Sequence, residues 1–281
     1  MKKTLFIAAH AALIIFATSF GQGQPKTTSA WGSSSSHEVI EVYPTFGREF
    51  NDKVASAYQK VMDAWVELEY DFEKIPKDIQ QLIKAYDISV PSSYYHSIGY
   101  GGCDGCSPWH SYYNTGPYSI IASSYLKSNN DTINYLPENA HDGNLSTAWV
   151  EGVKGYGIGE YIIYYFEHTM ARITDVRVAN GYVKTDKTWR ENSRVKKLKM
   201  YVDDTPFAIL HLEDSSNEQI FKFEPIGYKR PADIESDNWY YSGKYAQLPA
   251  WTLKFEIIEV YQGDKYDDTA ISQIYFDGII D

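Results

Sequence analysis

One short stretch, NAHDGNLSTAW (139–149), gathers oxygen donors of the kind that hard cations bind. It holds one carboxylate, that of Asp142, together with several amide and hydroxyl oxygens, and Gly143 permits a sharp turn. Because Ca²⁺ takes carboxylate and carbonyl oxygens as ligands, the stretch is a candidate calcium loop. A single carboxylate is few for tight binding, and the spacing is not that of an EF-hand. The same residue types are also typical of an Asx-turn loop that holds no ion.

A second segment, 181–194, offers the chemistry of sugar recognition. Tyr182 and Trp189 supply aromatic faces, on which the C–H face of a sugar ring can stack. Arg190 and Arg194 can hydrogen-bond the sugar hydroxyls. We therefore predict Tyr182, Trp189, Arg190 and Arg194 as ligand-binding residues. The alternative is that Trp189 and Arg194 pack and pair within the fold.

The spacings of common catalytic motifs are missing from this sequence. It contains no HExxH, GxSxG or P-loop pattern, and its 7 His residues are scattered. Two carboxylates for glycoside hydrolysis can still be assembled from distant loops, which keeps a hydrolase as an alternative. We predict that the chain is not an enzyme.

Composition narrows the classes of partner. The formal net charge is −11, which disfavours nucleic acid and anionic membrane surfaces as partners, because both bind through clustered Lys and Arg. Aromatic residues are abundant, with 25 Tyr, 12 Phe and 7 Trp. Several of them fall in 229–248, which is a further candidate ligand loop.

The N-terminus has the layout of a secretory signal peptide. Lys2 and Lys3 precede an apolar run from Leu5 to Phe16, which is too short to span a bilayer. We predict a signal peptide over 1–21, a flexible linker over 22–36 and no membrane span, hence a secreted or periplasmic protein.

The state of the two cysteines, Cys103 and Cys106, depends on whether the protein is exported. In an oxidising environment they are predicted to form a small disulfide that closes a loop. Free thiols and a redox or metal function are the alternatives, although no second Cys pair or nearby His pair completes a zinc site.

The elements that carry these residues differ between the two parts of the chain. Within 37–95 the pattern is helical, with an apolar stripe at spacings of three and four. Asn51 or Asp52 can cap the first helix, and Pro76 can open a second one. We expect the whole segment 37–117, helices and loop, to pack on the remainder.

After Pro117 the pattern changes to short strands separated by turns. Alternation is clear at Leu198, Met200 and Val202, and YIIYYF (161–166) is a short apolar run typical of a buried strand. In WTLKFEIIEVY (251–261) the apolar face switches, which predicts a bulge near Ile257. Many strands without intervening helices indicate an antiparallel sandwich or barrel.

Five blocks of sequence in order carry a specific resemblance. The span from about 118 to 281 resembles a discoidin, or coagulation-factor type C, domain, and within that family the NAD-glycohydrolase translocation branch. The blocks are ASSYL (122–126), NAHDGNLSTAWVEGVKGYGIGEYI (139–162), ITDVRVANGYVKTDKTW (173–189), NSRVKKLKMYVDD (192–204) and VYQGDKYDDTAISQIYFDG (260–278). The resemblance implies a mainly β chain, an antiparallel jelly-roll β-sandwich (118–281) with a small N-terminal helical segment outside it.

The resemblance also implies a site. In that family a structural Ca²⁺ often lies beside the DG loop, and loops at one end of the sandwich hold a glycan or lipid head group. Carried over to this sequence, the metal ligands are Asn139, Asp142, Asn144 and Thr147, completed by Gln273. This branch tends to have Glu in the block that holds Gln273, so the last ligand has an oxygen but lacks the charge.

Two hypotheses for function follow. The first is an exported, non-catalytic module that recognises carbohydrate or a cell-surface glycan. The second is a protein-interaction or assembly factor without a small-molecule ligand, in which the helical segment and the sandwich share one surface.

Overall fold

The computed structural model describes residues 38–68, 74–86, 117–128, 133–168, 172–229 and 249–279. The predicted signal peptide, the linker and the Cys103–Cys106 disulfide lie outside these residues, as does nearly all of the aromatic loop 229–248. Among the residues that are described, no helix has the length and apolar character needed to cross a membrane.

Strands dominate the described chain, and its helices are short. The elements are, in chain order, β1 (Ile40–Val42), β2 (Thr45–Glu49), α1 (Asp52–Glu67), α2 (Lys77–Tyr86), β3 (Ser119–Ala122), a 3-10 helix (Pro137–His141), β4 (Trp149–Val150), β5 (Tyr161–Phe166), β6 (Arg172–Asn180), α3 (Asp186–Glu191), β7 (Ser193–Val202), β8 (Thr205–His211), β9 (Asn217–Ile226), β10 (Trp251–Tyr261) and β11 (Thr269–Ile279).

The strands form a mainly antiparallel β-sandwich, which confirms the predicted fold class. One layer has the order β2-β9-β6-β11, with β4 paired to β11. The other has the order β7-β10-β5-β3, with β8 on the free side of β7 and β1 beyond it. The layers join where β7 and β11 pair in parallel at two positions, Thr269 with Ser193 and Ala270 with Arg194.

Aromatic side chains from both layers meet in the core. Tyr164 of β5 contacts Phe255 of β10 and Phe276 of β11, with ring centroids 5.9 and 5.0 Å apart. Phe166 stacks on Trp251 at 4.6 Å. All five rings are buried, and edge-to-face and offset-stacked pairs of this kind add to the free energy gained by burying their area. This core holds the ends of the strands in place, and the loops of the candidate site begin at those ends.

The predicted bulge is present in β10. The pairing of β10 with β7 shifts register between Ile257 and Glu259. Up to Ile257 the strand alternates buried and half-buried residues, and beyond it the residues are half-buried. The extra residue turns the apolar face as the sequence pattern requires.

The prediction of a helical segment beginning at residue 37 is wrong for its first part. Residues 40–42 and 45–49 are strands that extend the two layers, β1 pairing with β8 and β2 with β9. Pro44 cannot donate a helical hydrogen bond, and strand edges with free backbone groups were available on both layers. The helices themselves are found where the pattern placed them, and the side chain of Asn51 accepts from the amides of Lys53 and Val54 at the start of α1.

Helix α1 contacts the sandwich directly. The buried Phe50, just before it, packs with Leu145 and Val183. The hydroxyl of Tyr58 donates to the carbonyl oxygen of Gly143 at 2.9 Å. The segment therefore contacts the same loop that the sequence singled out as a candidate calcium site.

Candidate functional site

The DG loop, residues 142–147, is built from side-chain to backbone hydrogen bonds. The Asp142 carboxylate accepts from the amide of Asn144 at 2.8 Å and from the hydroxyl of Thr147 at 2.6 Å. The Asn144 side chain accepts from the amide of Ser146 at 2.9 Å. Gly143 has φ 73°, a left-handed conformation that favours glycine. These are the bonds of an Asx-turn loop.

Gln273, fully buried on β11, completes the loop from below. Its Nε2 lies 3.0 and 3.2 Å from the carbonyl oxygens of Asn139 and Asn144 and 2.8 Å from Oδ1 of Asp142, so its two hydrogens are shared among three acceptors. Its Oε1 accepts from the amide of Gly143 at 3.2 Å. The predicted metal ligands thus lie close together in the fold. Three of their oxygens, however, surround the side-chain nitrogen of Gln273 and not an open position.

This donor set does not fit Ca²⁺. Ca²⁺ needs several oxygens directed at one point. Here the NH₂ group of Gln273 occupies the point at which the oxygens are directed. The Asn139 side chain is also used elsewhere, donating to the carbonyl oxygen of Ala148 at 3.1 Å. Within the described ranges, no group of three or more His, Cys, Asp or Glu could hold a metal.

Segment 181–194 forms a turn and a short helix that pack on the sandwich. A capping box between Thr185 and Thr188 starts α3. The indole nitrogen of Trp189 donates to the carbonyl oxygen of Asn180 at 2.9 Å. The guanidinium of Arg194 lies 4.5 Å from the Trp189 ring centroid.

Arg194 is only 6% exposed, and its hydrogen bonds stay within the fold. It donates to both carboxylate oxygens of Asp214, at 2.6 and 3.2 Å, and to the carbonyl oxygens of Trp189 and Asn192. Arg190, by contrast, is exposed on α3. Trp189 and Arg194 therefore make the contacts within the fold that the alternative interpretation predicted. That Tyr182, Trp189, Arg190 or Arg194 contacts a ligand stays a prediction.

An open groove of about 360 Å³ lies beside this segment. We call it the acid–aromatic groove, after three tyrosines, two carboxylates and an amide that line it. Leu126 and Val150 add apolar surface. The aromatic and polar lining residues are Tyr135, Tyr182, Thr188, Glu191, Asn192, Tyr266 and Asp268.

The aromatic side of the groove is rigidly held. The rings of Tyr135 and Tyr182 meet edge to face at 6.3 Å. The hydroxyl of Tyr182 donates to the carbonyl oxygen of Ser146 at 3.0 Å, so the groove adjoins the DG loop. Burial, with a smaller contribution from Tyr135, raises the pKa of Tyr182 to about 12, so its hydroxyl stays protonated. Tyr266 is 41% exposed, and the ammonium group of Lys265 lies 4.6 Å from the centroid of its ring.

The acidic side is positioned by backbone contacts between α3 and the β10–β11 loop. The carbonyl oxygen of Glu191 accepts from the amides of Lys265 and Tyr266, at 3.2 and 2.8 Å. The Ser193 hydroxyl donates to the carbonyl oxygen of Tyr266 and accepts from the amide of Gly263, both at 3.1 Å. A Cβ at Gly263 would lie 2.4 Å from the backbone of Asn192, which explains the glycine.

The two carboxylates differ in their surroundings. Glu191 lies near two ammonium groups, Lys265 at 3.8 Å and Lys187 at 3.9 Å. Burial and the neighbouring charge of Asp267 raise the pKa of Asp268. Both groups can accept hydrogen bonds from a ligand's hydroxyls.

Sequence reasoning found only part of this groove. Of the predicted ligand residues, Tyr182 lines it. Tyr135, Glu191, Tyr266 and Asp268 were missed as ligand residues. Glu191 was read inside the aromatic segment, and Tyr266 and Asp268 belong to the quoted block 260–278, but no local spacing links them to Tyr135.

Glu151 follows the groove residue Val150 and links the end of β4 to the start of β11. Its side chain is fully buried and accepts from the amides of Val153 at 2.8 Å and Thr269 at 3.1 Å. Burial raises its pKa, the two amides oppose that shift, and the charges of Asp268 and Glu160 add to it.

This raised pKa predicts a pH dependence. Because the folded protein holds the Glu151 proton more tightly than the unfolded chain, the contribution of this group to the free energy of unfolding falls as pH rises above about 4.5. Glu151→Gln loses one acceptor and is less stable, but its deficit relative to wild type should shrink as pH rises through that window. Urea unfolding at a series of pH values measures this, and a deficit that grows with pH would contradict it.

The comparisons with known proteins are as follows. A family model described as the NAD glycohydrolase translocation F5/8 type C domain matches residues 111–277, more than half of the chain. No curated protein matches this chain.

Some of the solved structures similar to this chain contain carbohydrate-binding modules. The CBM32-1 and CBM32-2 domains of Clostridium perfringens ZmpB match with a TM-score of 0.36 and 12% identity, covering 57% of this chain and 34% of that one. CpGH89CBM32-5 of Clostridium perfringens, in complex with GalNAc-beta-1,3-galactose, matches with a TM-score of 0.36 and 11% identity, covering 57% and 94%. This chain thus spans about a third of the length of the ZmpB structure.

Proposed function

Because the chain belongs to the NAD glycohydrolase translocation F5/8 type C domain family, we propose that it is a non-catalytic module that binds an uncharged glycan in the acid–aromatic groove. The name of the family refers to a hydrolase, but the matching part is the accessory translocation domain. We propose that this binding takes place outside the cytoplasm, because the N-terminal sequence is predicted to be a signal peptide.

One observation carries the proposal: aromatic rings and hydrogen-bond acceptors face the same groove. A sugar presents an apolar C–H face and a rim of hydroxyls, so it needs both kinds of surface side by side. Tyr266 and Tyr135 supply the aromatic faces. Glu191, Asp268 and the Asn192 side chain supply the polar groups.

The charge of the groove selects among glycans. Glu191 and Asp268 are carboxylates and Asp267 is adjacent, so these three acids outnumber the two ammonium groups, of Lys187 and Lys265, that lie beside Glu191. An acidic sugar such as a uronic or sialic acid would bring a like charge to this surface, at a cost in free energy. Uncharged hexoses and N-acetylhexosamines meet no such penalty.

Tyr266→Ala is expected to lower the affinity for a bound glycan about 10-fold or more, because it removes the most exposed aromatic face of the groove. A glycan array with wild-type protein would first select the ligand, and isothermal titration would then measure its Kd for both proteins. Tyr43→Ala is the matched control, since Tyr43 is 65% exposed and lies outside the groove, between β1 and β2. Failure of wild type to bind any uncharged glycan, or equal losses in the two variants, would contradict the proposal.

A second candidate, glycoside hydrolysis, has one observation in its favour. Glu191 and Asp268 line the same groove, and the raised pKa of Asp268 is a property of a general acid. Glu191, however, is flanked by Lys265 and Lys187 and is 23% exposed at its side chain. Prolonged incubation with an array-selected glycan should release no reducing sugar. Release that Asp268→Asn abolishes would establish the hydrolase instead.

A further inference from the structure

We propose that the side-chain amide of Gln273 takes the place of a cation in the DG loop, so that this loop folds and holds the N-terminal helical segment without a metal. The structure of the DG loop does not depend on whether a glycan is bound in the acid–aromatic groove.

The amide nitrogen of Gln273 meets the oxygens that a cation would need. The carbonyl oxygens of Asn139 and Asn144 and Oδ1 of Asp142 all lie within 3.2 Å of Nε2. Gln273 itself is 0% exposed. A partly positive NH₂ group therefore fills the centre of a small cage of oxygens.

The orientation of this amide is determined by its neighbours. The backbone N–H of Gly143 can only donate, and it points at Oε1 of Gln273 at 3.2 Å. The opposite orientation would set two donors against each other and place Oε1 among three oxygens. With the amide flipped, Oε1 would face three other oxygens, and a cation would be needed between them. With the amide as it stands, the NH₂ group occupies that position and excludes a cation from it.

The one carboxylate of the loop is already satisfied. Asp142 accepts from the amide of Asn144, the hydroxyl of Thr147 and the amide of Gln273. Three donors stabilise its charge.

The loop in turn holds the helical segment at Gly143. The N–H of Gly143 donates to Gln273, and its carbonyl oxygen accepts from the hydroxyl of Tyr58 on α1. Gln273 and Tyr58 thus hold the two sides of one loop residue. The contact between helix and sandwich is consequently independent of a metal.

The wild-type protein gives the first test. Its melting temperature in EDTA and in millimolar CaCl₂ should agree within about 1 °C, since a ligand that binds only the folded state raises it. A clear increase with CaCl₂ would overturn the proposal. This measurement decides the question even if the variants below do not fold.

Gln273→Glu is the second test, because it converts the amide into a carboxylate oxygen facing three other oxygens. In EDTA we expect a melting temperature lower by about 5 °C. CaCl₂ should restore much of this loss, since the introduced carboxylate and that of Asp142 would then form a calcium site with the two carbonyls.

Gln219→Glu is the matched control. Gln219 is also 0% exposed, and within the described ranges its side-chain amide hydrogen-bonds the backbone of Glu213, accepting from its N–H and donating to its carbonyl oxygen. The Gln219→Glu variant should lose stability without rescue by CaCl₂.

Adding Asp142→Asn to Gln273→Glu should weaken the rescue by CaCl₂. Full stability of Gln273→Glu in EDTA, absence of rescue, or equal rescue of both Gln→Glu variants would each overturn the proposal.

Discussion

Replacing Trp149 with alanine is expected to lower the free energy of unfolding by about 3–5 kcal/mol, the cost of removing a large buried aromatic side chain. Trp149 is 0% exposed, lies two residues after the DG loop and belongs to β4, which pairs with β11. Its indole nitrogen donates to the carbonyl oxygen of Ser124 at 2.9 Å. The change therefore leaves a cavity and an unpaired acceptor at the junction of three segments.

Chemical denaturation of wild type and variant measures this loss. Two phenylalanine variants separate the cavity from the hydrogen bond. Trp149→Phe loses the bond to Ser124, whereas the indole nitrogen of Trp251 has no hydrogen-bond partner among the described residues. Trp149→Phe should therefore cost about 1 kcal/mol more than Trp251→Phe. A loss below about 1 kcal/mol for Trp149→Ala would show that Trp149 is not a core anchor.

Arg194→Ala is expected to lower the free energy of unfolding by about 3 kcal/mol, because it removes one partner of a largely buried ion pair. The side chain of Asp214 is 43% exposed and can be hydrated once Arg194 is removed. The expected loss of stability is therefore at the lower end of the range for buried ion pairs. The carbonyl oxygens of Trp189 and Asn192 lose their donors as well, and the Trp189 ring loses its cation.

The same variant decides between the two interpretations of segment 181–194. An internal function predicts a large loss of stability for Arg194→Ala and no loss for Arg190→Ala, whose exposed position makes it the control. A ligand function predicts unchanged stability for both and weaker glycan binding. Urea unfolding and titration on the same preparations separate these results.

Local patterns were enough to predict β5, β7 and β10 as strands. The alternation in β7 and the change of face at Ile257 in β10 both follow from a period of two, which is a property of the strand itself. β5 shows the limit of this reasoning. Its run YIIYYF was read as a buried strand, yet only alternate residues are buried, because tyrosine suits a half-solvated face as well as a core.

The edges of the sheet and the groove depend on contacts between distant residues. β1 and β2 have no long alternating pattern, and they become strands because β8 and β9 offer free edges. The groove likewise joins Tyr135, Tyr182 and Tyr266, which are far apart in the chain. No spacing within one segment encodes such a set.

Gln273 illustrates the same limit for a single residue. The sequence shows an uncharged side chain where a carboxylate would complete a calcium site. It does not show that the amide turns its nitrogen toward the three oxygens, since that follows from the position of the Gly143 amide.

The most direct test of the central claim, that the acid–aromatic groove binds an uncharged glycan, is an amide NMR titration of isotope-labelled protein with the glycan that an array selects. The largest shift changes should fall on Tyr182, Asn192, Tyr266 and Asp268, which line the groove. Shift changes that concentrate on another face, such as the β1–β8 edge, would contradict it.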